Sequence, residues 1–316
     1  MKRFLLNNLA VLFGAILLLV PSFAIGQTAS RIAITPLNFE LTVERGEVGG
    51  DQIRVLNSSY EEDVSVTMKV EDMFPEGEEG RVILQSPDED LDTLAISRWV
   101  SFEPETFTLE PREQKNVRFT IEVPETADPG GHYAGLIAGT QEREIEGTGV
   151  GITHRIASLV LLTVPGEMIE DLSVVDFKTG KDYYEQGPIT FESRFKNEGT
   201  VHIQPDATVL IEDIFGREVA RVPVEKRNVL PDATRKIETE WNVGNLWGGR
   251  YTATLTGSYG MESLPIEEKQ VTFWAFPWKA GIGIILVLIF FILTRKRWIT
   301  IIKILIQGEK ALSDNK

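Results

Sequence analysis

The sequence predicts an all-β chain: two tandem immunoglobulin-like β-sandwich domains followed by one transmembrane helix. Three observations lead there. Short stretches of alternating or β-branched residues recur between clusters of Gly, Pro, Asn and Asp, with no convincing amphipathic helix among them. A set of landmarks occurs twice in the same order. Two apolar blocks, one at the N-terminus and one at Phe273–Thr294, bracket the polar middle of the 316-residue chain.

Residues 1–26 read as a secretory signal peptide. Met1-Lys2-Arg3 is its positive start and Phe4–Val20 its apolar stretch, and cleavage after Ala24 or Gly26 meets the requirement for small residues at the cut. The first immunoglobulin-like domain is expected over 28–165, with strands at Gln52–Leu56, Val64–Val70, Asn116–Val123, Tyr133–Gly139 and Ile156–Val164 and an insertion near 72–98. The second is expected over 168–274, with strands at Ile189–Phe195, Ala207–Ile211, Arg235–Trp241 and Tyr251–Gly257. Pro165-Gly166-Glu167 separates them.

The two domains read as a divergent repeat. Gly130-Gly-His-Tyr133 recurs as Gly248-Gly-Arg-Tyr251 at an offset of 118, Leu109-Glu-Pro111 as Val229-Leu-Pro231 at 120, and Asn57-Ser-Ser-Tyr60 as Asn197-Glu-Gly-Thr200 at 140. Asn57 and Asn197 follow strands, where an Asn side chain bonds nearby backbone and so supports a turn. Tyr133 and Tyr251 open late strands and resemble tyrosine corners, in which the phenol bonds back to backbone. Trp99 and Trp241 are expected as core or inter-sheet aromatics.

The transmembrane helix is expected over 275–294, inside an apolar block whose one charge is Lys279. Trp278 and Lys279 suit the outer interface, and Arg295, Lys296, Arg297 and Trp298 suit the inner one. The tail 295–316 is then basic and cytoplasmic. This places the protein in a bacterial cell membrane, single-pass, with its N-terminal domains outside and the lipid bilayer as a partner. Of the net charge of −15, the signal carries +2 and residues 279–316 carry +5, which leaves −22 on the domains between them.

With 47 Asp+Glu against 32 Lys+Arg, nucleic acid is excluded as a partner, because phosphate is bound through clustered cations. No cysteine is present, so disulfides, cysteine metal sites and a cysteine nucleophile are excluded. The histidines, His132, His154 and His202, are far apart. No nucleophile elbow, zinc-protease, phosphate-loop or dinucleotide motif occurs. The expectation is a protein that is not an enzyme and carries no cofactor. Asp88, Asp90 and Asp92 alternate as in a calcium loop, but Thr93 and Trp99 stand where an EF-hand needs Gly and Glu. They remain a weak calcium candidate, with a solvated acidic loop as the default.

Trp99-Val-Ser-Phe-Glu-Pro104, Leu109-Glu-Pro-Arg-Glu113, Val117-Arg-Phe-Thr-Ile-Glu-Val-Pro124 and Pro129-Gly-Gly-His-Tyr-Ala-Gly-Leu-Ile-Ala-Gly139, in an anchored two-domain chain, resemble the WxL-interacting protein family of bacterial cell-surface proteins. The likeness is strongest over 31–165. It implies an envelope protein whose N-terminal domain is of the peptidoglycan-binding type and whose partner is a cell-wall glycan or surface protein. Two other classes fit the same sequence: a structural subunit of a membrane assembly that uses the helix and tail, and a carboxylate-dependent envelope hydrolase.

Overall fold

The computed structural model describes residues 31–86, 96–140, 153–244, 246–276, 278–279 and 281–295. The expected signal peptide, the candidate Asp88, Asp90 and Asp92, and Lys296, Arg297 and Trp298 of the tail lie outside the described residues.

The chain is all-β and forms two β-sandwiches. The first comprises β1 (Ile32–Thr35), β2 (Asn38–Thr42), β3 (Val48–Asn57), β4 (Val64–Glu76), β5 (Arg81–Gln85), β6 (Val100–Glu103), β7 (Thr106–Leu109), β8 (Gln114–Glu122), β9 (Gly130–Thr140) and β10 (Arg155–Val164). One sheet runs β1-β3-β8-β6; the other runs β2-β10-β9-β4-β5, with β7 also on β4. The second sandwich comprises β11 (Leu172–Thr179), β12 (Tyr183–Tyr184), β13 (Ile189–Asn197), β14 (Asp206–Glu212), β15 (Glu218–Pro223), β16 (Thr234–Trp241), β17 (Gly249–Tyr259), β18 (Leu264–Pro265) and β19 (Lys269–Ala275). Its sheets run β11-β13-β16 and β12-β19-β17-β14-β15, with β18 on β17.

The two strand orders are the same plan. In each, the first strand pairs with one sheet, the chain crosses over, and the next short strand pairs in parallel with the last strand of the other sheet: β2 with β10, β12 with β19. β6 and β7 are extra in the first copy. Strand alternation explains the cores. In β13 every second residue from Ile189 to Asn197 is buried, because side chains two apart share a face of the pleat. Phe119, Ile53, Leu136 and Leu162 fill the first core and Phe191, Phe195 and Phe273 the second. Each such side chain contributes roughly 1.5–3 kcal/mol by leaving water.

The expected membrane helix is corrected here. Among the described residues no helix is long and apolar enough to cross a membrane. Two features explain the misreading. Phe273 and Ala275, at the start of the apolar block, belong to β19 and are buried in the second core, so strand alternation supplies part of the run. The described helical residues after it are 278–279 and 281–295. Lys279 pairs with Glu185 of the second sandwich at 2.8 Å instead of reaching for headgroups, and lies 5.5 Å over the Trp278 ring. Arg295, the last described residue of the helix, is exposed. The single-pass membrane localisation and the lipid-bilayer partner fall with the span.

Candidate functional site

Two features of the first sandwich meet on the outer face of its β2-β10-β9-β4-β5 sheet: the junction with the second sandwich, and a strand whose edge is only partly covered.

At the junction, Met73, Tyr133 and Leu161 from β4, β9 and β10 bury Leu230 of the second domain, with Val82, Leu84, Leu159 and Ala233 around them. The long β4–β5 hairpin reaches past this small core. At its tip Glu78 takes a hydrogen bond from Arg194 Nε at 2.7 Å, and its carbonyl accepts the Lys236 amide at 2.7 Å. Lys236 Nζ lies 2.8 Å from Glu79. The Arg194 guanidinium holds the Glu78 carboxyl below its usual range. Elsewhere the Gly131 amide donates to the Thr200 carbonyl at 2.8 Å, and Asn228 donates to Glu40 at 2.7 Å. Gly130 is required at this contact: its φ is +136°, and a Cβ there would lie 2.6 Å from the Thr200 carbonyl oxygen.

Tyr133, at the centre, forms no corner of its own. Its hydroxyl lies 3.2 Å from His202 Nδ1 of the second domain. Burial pushes the phenol up and the imidazole down, the latter partly offset by the Glu40 carboxylate. Its counterpart Tyr251 stays local and donates to the Trp247 carbonyl at 3.1 Å. Asn57 and Asn197 are both fully buried and make matching bonds. Asn57 Nδ2 donates to the carbonyls of Glu62, Leu109 and Glu110, and Asn197 Nδ2 to those of Val201 and Val229. Each Oδ1 accepts the amide two residues on, at 2.9 Å. Trp99 packs against the first core 4.8 Å from the His132 ring, and Trp241 packs 6.3 Å from Tyr251. The structure therefore brings Tyr133 and His202 together at the junction, and leaves Trp99, Trp241, Tyr251 and the two Asn within their own sandwiches.

The partly covered strand is β10. β2 pairs with it only over Leu159–Thr163. The reason is the crossing between the sheets at Pro36, which has no amide hydrogen to give; its carbonyl takes the Ser158 hydroxyl at 2.8 Å. The Leu159 amide donates outward to Leu37 while the His154 carbonyl accepts inward from Thr140. By alternation, the backbone groups of Arg155 and Ala157 face outward too. No strand among the described residues takes them.

Beside this open end, Thr67, Lys69, Glu71, Ile137, Gly139 and Arg155 line an open cleft of about 540 Å³. Arg155 is ion-paired to the nearly buried Glu71, and Lys69 is exposed. Two cations around one carboxylate make a locally positive spot in a strongly acidic chain. Lys69, Glu71 and Arg155 escaped the reading of the sequence, since nothing local relates residues on β4 and β10; the signal that exists is the change from the hydroxyls of Ser65 and Thr67 to the charges of Lys69 and Glu71 at the outward positions of β4. Among the described residues, no group of three or more His, Asp or Glu could hold a metal ion.

No family model and no curated protein matches the chain. The suggested membership of the WxL-interacting family is withdrawn, and with it the peptidoglycan, cell-wall glycan and surface-protein ligands it implied: the shared stretches are turn and core positions that any such sandwich needs. The solved structures similar to the chain include chaperones instead. A structure of the Salmonella enterica SafA pilin in complex with the SafB chaperone is 11% identical, covering 77% of this chain and 96% of that one at a TM-score of 0.38. The E. coli chaperone DraB is 11% identical, covering 78% and 98% at 0.37, and the class 5 fimbriae chaperone CfaA is 14% identical, covering 78% and 99% at 0.37. Likenesses this loose carry no conclusion about what the chain does.

Proposed function

We propose that this is a non-catalytic protein that holds an extended segment of a partner polypeptide by adding it as a strand to the open end of β10. The observation that carries this reading is the outward backbone of Arg155 and Ala157, a donor and acceptor row that β2 leaves uncovered. An exposed edge of this kind is a template for a further strand. Lys69 and Arg155 beside it suit a carboxylate on the arriving segment, either a side chain or a chain terminus. The junction serves the same end: its small core and hairpin fix the second sandwich against the sheet that carries the acceptor strand. SafB, whose described complex is with the SafA pilin, is a chaperone of the general kind this reading has in view; the proposal itself rests on the edge geometry.

The test is selection of linear peptides on the whole chain from a displayed random library, followed by amide exchange on the complex with the best peptide. Slowed exchange at Arg155 and Ala157 supports the reading. Protection confined to other amides, or no selected peptide, overturns it.

A further inference from the structure

The repeat exposes a second acceptor edge, on the other domain. In the first sandwich the outer side of β8 is covered by β6, with Val100 opposite Ile121, Ser101 opposite Thr120, Phe102 opposite Phe119 and Glu103 opposite Arg118. The strand in the same place in the second sandwich is β16, at the offset of 120 that relates the two Asn-bonded turns. There the Asn57 amide donates to Glu113 and the Asn197 amide to Ala233, and Arg112 and Asp232 both take a positive φ, 63° and 58°. Carried across, Glu238, Thr239, Glu240 and Trp241 occupy the positions that β6 covers in the first copy. Yet β16 ends its sheet, and among the described residues no strand lies beyond it.

The direction of the backbone agrees. The Glu122 amide of β8 donates outward to Trp99, and the Lys236 amide of β16 donates outward to Glu78 at the hairpin tip. By alternation Glu238 and Glu240 present their backbone groups outward, next along the edge from a position the hairpin already takes. An independent sign comes from the core side of the same strand. The Thr239 hydroxyl is buried and has no hydrogen-bond partner among the described residues, and neither has that of Ser193 on neighbouring β13. Thr239 stands where Phe119 faces Phe102 in the first copy.

We infer that the Glu238–Trp241 edge of β16 accepts a strand from a partner polypeptide, and that the segment it takes is basic and alternating. Charge decides the sequence. In the first copy Glu103 faces Arg118; in the second the position of Arg118 is Glu238 and that of Thr120 is Glu240. A fitting strand places Lys or Arg opposite these two acids and apolar residues opposite Thr239 and Trp241. Lys236, shared between Glu79 at 2.8 Å and Glu238 at 3.4 Å, leaves this rim net negative. The surface is distinct from β10 and asks for the opposite charge, so the two proposals stand or fall separately.

The probe is a labelled peptide spanning residues 98–105 of this chain, made once with its own sequence and once with S101K and E103K, titrated into the full chain by fluorescence anisotropy. Turning one like-charge pair and one neutral–charged pair into two opposite-charge pairs predicts about five- to thirty-fold tighter binding of the lysine peptide. The variant E238K/E240K should reverse the preference. Equal affinities for the two peptides, or a preference unmoved by E238K/E240K, overturns the inference. Amide exchange on the unmodified protein with the lysine peptide reads the same question without a variant: slowing at Glu238 and Glu240 is expected, and slowing only at Arg155 and Ala157 contradicts it.

Discussion

Replacing Asn197 by Ala should destabilise the second sandwich more than replacing Asn57 destabilises the first. Each amide joins three segments, but the surroundings differ. All three of the Asn197 bonds that would be lost, to the Val201 and Val229 carbonyls and from the Gly199 amide, are buried. Of the four at Asn57, only the one to Leu109 is fully buried, and those to Glu62 and Glu110 and from Ser59 are part-buried. A buried group left without a partner costs about 1–3 kcal/mol, whereas water can reach a part-buried one and recover most of its bond. Allowing for relaxation, Asn197→Ala is expected to cost about 3–5 kcal/mol and Asn57→Ala about 2–3. Asp at either site should be worse than Ala, because it points a carboxylate at carbonyl oxygens. Calorimetry of the full chain measures the loss, and amide exchange locates it: Asn197→Ala should speed exchange in β11, β13 and β16 before the first sandwich responds. A cost below about 0.5 kcal/mol for Asn197→Ala, within the range of ordinary surface changes, or a larger cost at Asn57, would refute the reasoning.

Three other outcomes follow from the junction. Leu230→Ala should cost about 2–5 kcal/mol, the range for a buried Leu; scanning calorimetry should show the two sandwiches melting further apart, and an unchanged single transition would count against a coupled junction. Gly130→Ala should loosen the same contact by forcing a side chain into a positive-φ position against Thr200, read as faster exchange of the Gly131 amide. Acid should also loosen it. The folded pKa of His202 is depressed, so its contribution is present above the unfolded value near 6.5 and is lost as pH falls below that. The Glu78 carboxyl is also depressed, and its contribution fades at lower pH as it is protonated out of its pair with Arg194. Small-angle scattering from pH 8 to 4 should show the separation of the sandwiches growing as the pH falls below about 6.5; a separation constant throughout would contradict the assignment.

The all-β class is legible in the sequence because alternation and turn residues are local. The same locality misleads at Phe273–Thr294. A strand whose inward residues are Phe273 and Ala275 runs straight into an apolar helix, and a hydropathy window adds the two together. The hairpin of β4 and β5 reads only as extra length near 72–98, since what gives Glu78 and Glu79 their purpose is Arg194 and Lys236, more than a hundred residues on. Tyr133 illustrates the limit more sharply. Its Gly-Gly-x-Tyr setting is that of Tyr251, yet one phenol stays home and the other crosses to His202. No pattern within either segment separates them; only the docking of the second domain does. Glu71 and Arg155 pair, with Lys69 in the same cleft, for a similar reason, across strands whose pairing is set by topology.

The most direct test of the central claim is the affinity of a peptide selected on the full chain for the variant Ala157→Pro, compared with Ala157→Ser. Proline at this position removes an outward amide that no strand among the described residues uses, and leaves the inward bonds of β10 to β9 in place. Binding at the open end of β10 predicts a loss of about ten-fold or more for the proline variant, with the melting temperature and the serine variant close to those of the unaltered protein. Equal binding by both variants would contradict strand addition at β10.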